Sequence, residues 1–336
     1  MTLENRIDAF VKLGKQLQDL TPEERKALSL IAQAKNPWFD EANVSAALQG
    51  VTTLLDEQYL REWLYPYHLK QVTSKKVGVV MAGNIPMVGF HDFMSVLLSG
   101  HFLLAKLSSD DDVLMRRLAS MLVGIEPAFA NQYEFVDMLK EADAIIATGS
   151  DNTARYFEYY FAKRPHIIRK NRTSIGILTG HEEEEDLTAL GNDIFQYYGL
   201  GCRNVAKVYV PEGYTFDKLF EANEHHKTIL NHHKYQNNYD YNKSILLVNR
   251  VPHFDNGFLL VQESEQLVSP ISVLFYETFT SLPDLRHKLA AVKEKTQCLV
   301  SAHGWLEGSI PFGDAQCPMP WDYADGVDTM AFLQAL

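Results

Sequence analysis

Cysteine is scarce in this sequence. Cys202, Cys298 and Cys317 are spread over 336 positions, and no two of them form a Cys-x-x-Cys pair. That spacing argues against a zinc site, so no metal is expected. A small, odd number of cysteines reads as reduced thiols in the cytoplasm. Basic charge is also short. Lys and Arg total 31 against 43 Asp and Glu, a formal net charge of -12. A nucleic-acid partner is therefore excluded, because a phosphate-backbone binder needs a basic face. A small anionic ligand is not, since a local site can oppose the global field. Long apolar runs are missing too. The most apolar stretch, Ile85 to Leu107, is interrupted by His91, Asp92 and His101. A membrane span needs about 20 mostly apolar residues, so none is expected. The start, MTLENRIDAF, has no apolar leader core, which predicts no secretory signal. There is no internal repeat and no low-complexity linker.

What remains is a globular composition, 46% hydrophobic and 11% aromatic, at a length of roughly two domains. A chain of this size buries about three quarters of its unfolded surface and needs no staples. The first 70 residues read as helices. Ile7, Phe10, Val11 and Leu17 fall at helical spacing, and Thr21-Pro22-Glu23-Glu24 is a helix start. One more helical run is expected from about Asp40 to Trp63. Trp38, Phe39, Trp63, Tyr65 and Tyr67 in this region read equally as core or as the lining of an acyl tunnel.

From Lys76 the texture changes. VGVVMAG, HFLLAKLSS and ADAIIATGS are short apolar runs, each followed by helical sequence, which predicts a parallel sheet with crossover helices. A second series starts near Thr173 with TSIGILTG. It continues through a helix over EEEEDLTALGNDIFQYYG, which Gly199 and Gly201 are expected to end, and then the strands AKVYVP, KSILLVN and ISVLFYE. The expected fold class is α/β. Residues 1–172 would form a helical N-terminal region with a nucleotide-binding domain, and 173–336 a catalytic domain whose C-terminal tail can pack back on the first. The acidic run Glu182 to Asp186 reads as a solvated helix start. The pairs His225-His226 and His232-His233 would lie about 10.5 Å apart along a helix, too far to share an ion.

Cys202 sits between a glycine-bounded helix end and a strand. Glycines there let a substrate approach the backbone, and exposed N–H groups can stabilise an oxyanion. Arg203 and Lys207, close in sequence, would favour a thiolate. A buried structural thiol is the alternative reading, and it is the one given to Cys298 and Cys317.

The ordered set Gly83-Asn84-Ile85-Pro86, Lys106-Leu107-Ser108-Ser109, Thr148-Gly149-Ser150 and Gly199-Leu200-Gly201-Cys202 resembles the aldehyde dehydrogenase superfamily. Its wording, with the tail Met319-Pro320-Trp321-Asp322-Tyr323-Ala324-Asp325-Gly326, is most similar to the acyl-CoA reductase branch, which includes the fatty acyl reductase of bacterial luminescence systems. The resemblance implies an aldehyde-dehydrogenase-like fold with a Rossmann-type cofactor domain. It implies Cys202 as nucleophile, with Asn84 and the Cys202 amide as oxyanion donors. It further implies Lys106 at the adenosine ribose, with Ser108 in the same turn, and Gly149-Ser150 at the pyrophosphate. Each of these residues also has a plain local reading: turn chemistry for Asn84, a solvated strand end for Lys106, an N-cap for Ser150.

The departures carry information. The family's hydrolytic members have a Glu base where this chain reads Ile168-Arg169-Lys170-Asn171-Arg172. An acid-forming dehydrogenase needs that base to activate water, whereas a thioester reductase does not. The Lys106 turn lacks the family's Glu, which removes a charge that would repel a 2′-phosphate and favours NADPH over NADH. The expected function is NADPH-dependent reduction of acyl-CoA to the aldehyde through an acyl-cysteine. An acyl phosphate or carrier-protein donor, and a non-catalytic nucleotide-binding scaffold, stand as alternatives. A homo-oligomer is compatible with all three.

Overall fold

A computed structural model of the chain describes residues 1–69 and 73–336, which form two compact units, Met1–Asn171 with Pro318–Leu336 and Arg172–Cys317. The first unit opens with helices α1 (Leu3–Gln18), α2 (Pro22–Lys35), α3 (Glu41–Leu54) and α4 (Glu57–Leu64). Each begins where a side-chain oxygen meets amides that have no partner within the helix. Thr21 and Glu24 form a reciprocal capping box, as the sequence indicated. The run from Asp40 to Trp63 is two helices rather than one. The Asp56 carboxylate accepts from the amides of Gln58 and Tyr59, which starts α4 and ends α3.

A five-stranded sheet follows: β1 (Lys76–Val80), α5 (Phe90–Ser99), β2 (Phe102–Lys106), α6 (Asp112–Ile125), β3 (Tyr133–Phe135), β4 (Ala144–Thr148), α7 (Asp151–Phe161) and β5 (His166–Arg169). Its order is β3-β2-β1-β4-β5 and every pairing is parallel. Val77, Val79, Leu103, Ala105, Ile145 and Ile146 are fully buried, as strands covered on both faces must be.

The second unit contains β6 (Thr173–Ile177), α8 (Glu184–Phe195), β7 (Val205–Pro211), α9 (Asp217–Ala222), α10 (His233–Val248), β8 (Phe254–Asp255), β9 (Leu260–Glu263), β10 (Val273–Phe279), α11 (Leu282–Val292), β11 (Thr296–Ser301) and β12 (Ser309–Pro311). Its sheet runs β12-β11-β6-β7-β10-β9-β8, parallel except for β8 against β9. KSILLVN, read as a strand, is the last part of α10. Tyr235, Tyr239, Asn242 and Leu246 are buried at helical spacing, and this stripe overrides the local β preference of Ile245-Leu246-Leu247-Val248. The start of α8 is less solvated than its charge suggests. Glu182 is buried, accepting from the amides of Thr179 and Gly180 and from the Thr179 hydroxyl.

The C-terminal segment belongs to the first unit and ends in α12 (Thr329–Gln334). The Trp63 indole donates to Tyr323 Oη at 2.6 Å, and the Tyr67 hydroxyl, 2.8 Å from Tyr323 Oη, donates to Asp328. Trp63 and Tyr67 thus dock this tail, Phe39 is core, and Tyr65 is exposed. His101 is fully buried beneath α12. It accepts from the Lys75 amide at Nδ1 and donates from Nε2 to Leu333 O.

Candidate active site

In the first unit, the strand ends bring most of the candidate residues to one sheet edge. Val80, Lys106 and Thr148 close β1, β2 and β4, which are parallel and in register neighbours. Asn84, Lys106, Ser108, Gly149 and Ser150 therefore lie at or just beyond the carboxyl ends of adjacent strands, where open α/β sheets bind ligands. Two of their turns touch. A Cβ on Gly83 would fall 2.5 Å from Ser108 Oγ, so only glycine lets the Asn84 turn rest on the Ser108 turn. Asn84 itself is exposed.

The same contact involves Asp111. Its Oδ2 accepts the Met87 amide at 2.6 Å, and its own amide donates to Ser108 O. Met87 has a φ of 57°, a left-handed conformation that a bulky residue holds only when its surroundings fix it. Asp111 Oδ1 is buried with no hydrogen-bond partner. Burial, then the neighbouring Asp112, raises the Asp111 carboxyl to about 8 against the Met87 hydrogen bond.

Beyond β4, Ser150 Oγ accepts from the Thr153 amide and lies 2.9 Å from Thr153 Oγ1, so it caps α7. A Cβ on Gly149 would meet Thr153 Cβ at 3.0 Å. A cleft of about 540 Å³ opens at the ends of β1 and β2, with Val80, Met138, Phe157 and Phe161 as apolar wall and Lys106 and Arg164 among its cations. The Arg164 guanidinium donates to Leu139 O and Lys140 O and so fixes the loop that forms one side. Apolar walls with cations suit a flat ring carrying phosphate.

Cys202 lies in the second unit, between α8 and β7, and is exposed. The helix does not run to the glycines that were expected to end it. It stops at Phe195, and Tyr197 and Tyr198 take φ of 53° and 58°. The chain then enters a turn closed by Asn204. The Asn204 amide donates to Gly201 O at 3.1 Å, and its Oδ1 accepts the Gly201 amide at 2.8 Å. Asn204 Nδ2 donates to Asp193 O and Gln196 O at 3.0 and 2.7 Å. Across the turn, Ser174 Oγ donates to Cys202 O at 3.2 Å and lies 2.9 Å from Cys298 Sγ.

The charges around this turn are partly committed. Lys207 is buried and paired with Glu277 at 2.6 Å, so its ammonium serves that carboxylate and not the thiol. Arg203 donates to Ala315 O. Burial pushes the Cys298 thiol up, and the Ser174 hydrogen bond and Arg203 oppose it only in part. Cys317, read from the sequence as a buried thiol, is exposed at the surface, yet its thiol is raised, by partial burial first and then by Asp314 and Asp193. Neither favours a thiolate. Asp193, fully buried on α8, accepts the amides of Gly313 and Ala315 and is raised by burial to about 7. Among the described residues no His, Cys, Asp or Glu cluster could hold a metal, and no helix is long and apolar enough to cross a membrane.

Sequence reasoning missed Asn204, Asp193, Ser174 and Asp111. Only Asn204 carried a local signal, an Asn two residues after Cys202 in a glycine-rich turn. The side-chain partners of the others lie 24 to 124 residues away.

A family profile described as acyl-CoA reductase (LuxC) matches residues 11–222, a stretch that contains all the candidate residues. Solved structures agree at the level of fold. A putative aldehyde dehydrogenase from Burkholderia cenocepacia has a TM-score of 0.64 at 16% identity, covering 90% of this chain and 74% of that one. Aldehyde dehydrogenase 21 from Physcomitrella patens, solved with succinate, has 0.71 at 12%, covering 100% and 84%. An aldehyde dehydrogenase from Bacillus cereus, solved with NAD+, has 0.63 at 13%, covering 90% and 72%. No curated protein matches. The fold is that of the aldehyde dehydrogenases, with a helical N-terminal region.

Proposed function

The chain belongs to the acyl-CoA reductase (LuxC) family, and from that premise we propose that it reduces an acyl-CoA thioester to the aldehyde with NADPH, through an acyl group held on Cys202. The observation that carries this reading is the exposed Cys202 in a hydrogen-bonded turn at the amino end of β7. Cys317 is exposed as well, but its thiol and that of the partly buried Cys298 are raised.

The Cys202 thiolate attacks the thioester carbon, a carbon–sulfur bond forms, and the negative charge moves to the carbonyl oxygen. The Cys202 amide is the donor proposed for that oxyanion, and Asn84 is assigned the same role on the family resemblance alone. Collapse expels the CoA thiolate and leaves an acyl-cysteine. Splitting the reduction in this way replaces one hard step by two easier ones. A reduced nicotinamide, when bound, supplies the hydride. Cys202 then leaves as thiolate and the aldehyde is released. Lys106, Ser108, Gly149 and Ser150 are assigned to the nucleotide; of these, Lys106 lines the cleft, whose apolar wall and cations support a nucleotide there. The position of the family's water-activating Glu falls near Ile168 in β5, where the chain reads Ile168-Arg169-Lys170-Asn171-Arg172 and offers no carboxylate to activate water on the acyl-enzyme. The reaction is placed in the cytoplasm, where thiols stay reduced.

Cys202→Ala should abolish aldehyde formation from acyl-CoA and leave NADPH binding intact, as read by NADPH oxidation and by quenching of bound-cofactor fluorescence. A variant that makes aldehyde at the wild-type rate contradicts the covalent route. Turnover of an acyl phosphate but not of acyl-CoA by the wild type would replace the donor and keep the mechanism.

A further inference from the structure

We propose that Asn204 is a positioning residue for acyl transfer: its carboxamide closes the turn that carries Cys202 and ties that turn to the end of α8, so that the Cys202 thiol and amide are presented together. The inference rests on the acyl-transfer reading above.

Asn204 is buried, 2% exposed, and both ends of its side chain are used. Its oxygen accepts the Gly201 amide, and its nitrogen donates to carbonyls at the end of α8. Those carbonyls are among the last of the helix, which have no partner inside it. Glycine usually serves there by turning the chain back. Here the chain leaves through Tyr197 and Tyr198 in left-handed conformations, and the Asn204 carboxamide supplies donors instead. The main chain of Asn204 is fixed as well. Its N–H closes the turn on Gly201 O, and its carbonyl accepts from the Ser174 amide and the Thr173 hydroxyl of β6. The Cys202 carbonyl is held by Ser174 Oγ. One residue thus couples the nucleophile turn to the helix before it and the strand beside it.

The consequence is specific to thioester attack. That attack builds an oxyanion, which is stabilised only if a donor stands at the right place. Alkylation by iodoacetamide displaces iodide at carbon, forms no oxyanion, and needs only an accessible thiolate. Loosening the turn should therefore slow acylation far more than alkylation. A purely structural asparagine would not separate the two. Asn223 provides that comparison. It is equally buried and donates to Leu187 O and Leu219 O at 2.9 Å, pinning α8 to α9 away from the turn.

The experiment compares wild type, Asn204→Ala and Asn223→Ala for single-turnover acylation of Cys202 by octanoyl-CoA, followed by intact mass, and for iodoacetamide alkylation rate. Asn204→Ala should lower the acylation rate by about 10- to 100-fold, the loss expected from a small misplacement of reacting groups. Alkylation should change less than about threefold, and kcat should fall with little change in KM. Asn223→Ala should keep the wild-type ratio of acylation to alkylation. Should Asn204→Ala fail to fold, Asn204→Asp, which keeps the volume and the acceptor but loses the donor, carries the same comparison. An unchanged ratio in the folded Asn204 variant, or an equal fall in both rates, overturns the positioning role alone. No octanoyl adduct on the wild type overturns the acyl-transfer reading and the positioning role with it.

Discussion

Asp111 and Asp193 are carboxyl groups shut away from water, and burial raises them to about 8 and about 7. A carboxyl whose folded-state pKa lies above its unfolded value near 4 holds its proton more tightly when folded. Its contribution to stability is complete at low pH and is lost as pH rises to the folded-state value. For Asp111 that window runs from about 4 to about 8, and a tenfold change in proton affinity is worth about 1.4 kcal/mol. Asp111→Asn removes the titration. Its unfolding midpoint should therefore gain on the wild type as pH rises from 4 to 8 and level off above. A constant gap across that range would mean that Asp111 is ionised throughout. Gly83 offers a steric counterpart. Gly83→Ala drives a methyl into Ser108 and should cost about 1–3 kcal/mol by denaturant unfolding. Ser108→Gly in the same chain should recover most of it, since the obstructing atoms are its Oγ and Cβ. At this scale the sequence offered Asn84, Gly149, Ser150 and Cys202 as candidates because each stands at a strand or helix end marked by glycine or proline, whereas Lys106 and Ser108 stand at a strand end with neither and came from the family resemblance. It hid Asp111 and Asp193, whose partners are set by tertiary packing.

Among the elements, the strands were the most legible. VGVV, FLLA and AIIA are short apolar runs before a glycine or a polar turn, and they are largely buried, as strands of a sheet covered on both faces are. α10 was not legible from KSILLVN, because four consecutive apolar residues carry neither period. Its helical stripe becomes visible only when Tyr235, Tyr239 and Asn242 are counted with Leu246. The end of α8 was misplaced for a different reason. The glycines that resemble a helix stop belong to the cysteine turn, and two tyrosines take the left-handed conformations before them. The C-terminal tail is held by a few polar contacts that can be cut one at a time. Tyr323→Phe leaves the buried Trp63 indole without its acceptor and should cost about 1–3 kcal/mol, read as a lowered unfolding midpoint. Trp63→Phe with Tyr323→Phe should cost less than the sum of the two single changes, because the indole N–H no longer needs a partner.

The whole molecule carries a net charge of -12, yet the ligands proposed for it, a CoA thioester and a dinucleotide phosphate, are polyanions. Binding must then depend on local cations such as Lys106 and Arg164 rather than on the global field. Composition argued against a basic, nucleic-acid-binding surface and set a length of about two domains, the alternation of apolar runs and helices predicted the α/β class, and the proposed chemistry was legible only through the order of four short motifs. The central claim is that Cys202 carries the acyl group. Its most direct test is the intact mass of the protein mixed with a medium-chain acyl-CoA in the absence of cofactor. One added acyl mass, missing in Cys202→Ala and discharged as aldehyde when NADPH is added, is the expected result. An adduct that persists in Cys202→Ala, or no adduct with acyl-CoA, acyl phosphate or acyl carrier protein, would contradict it.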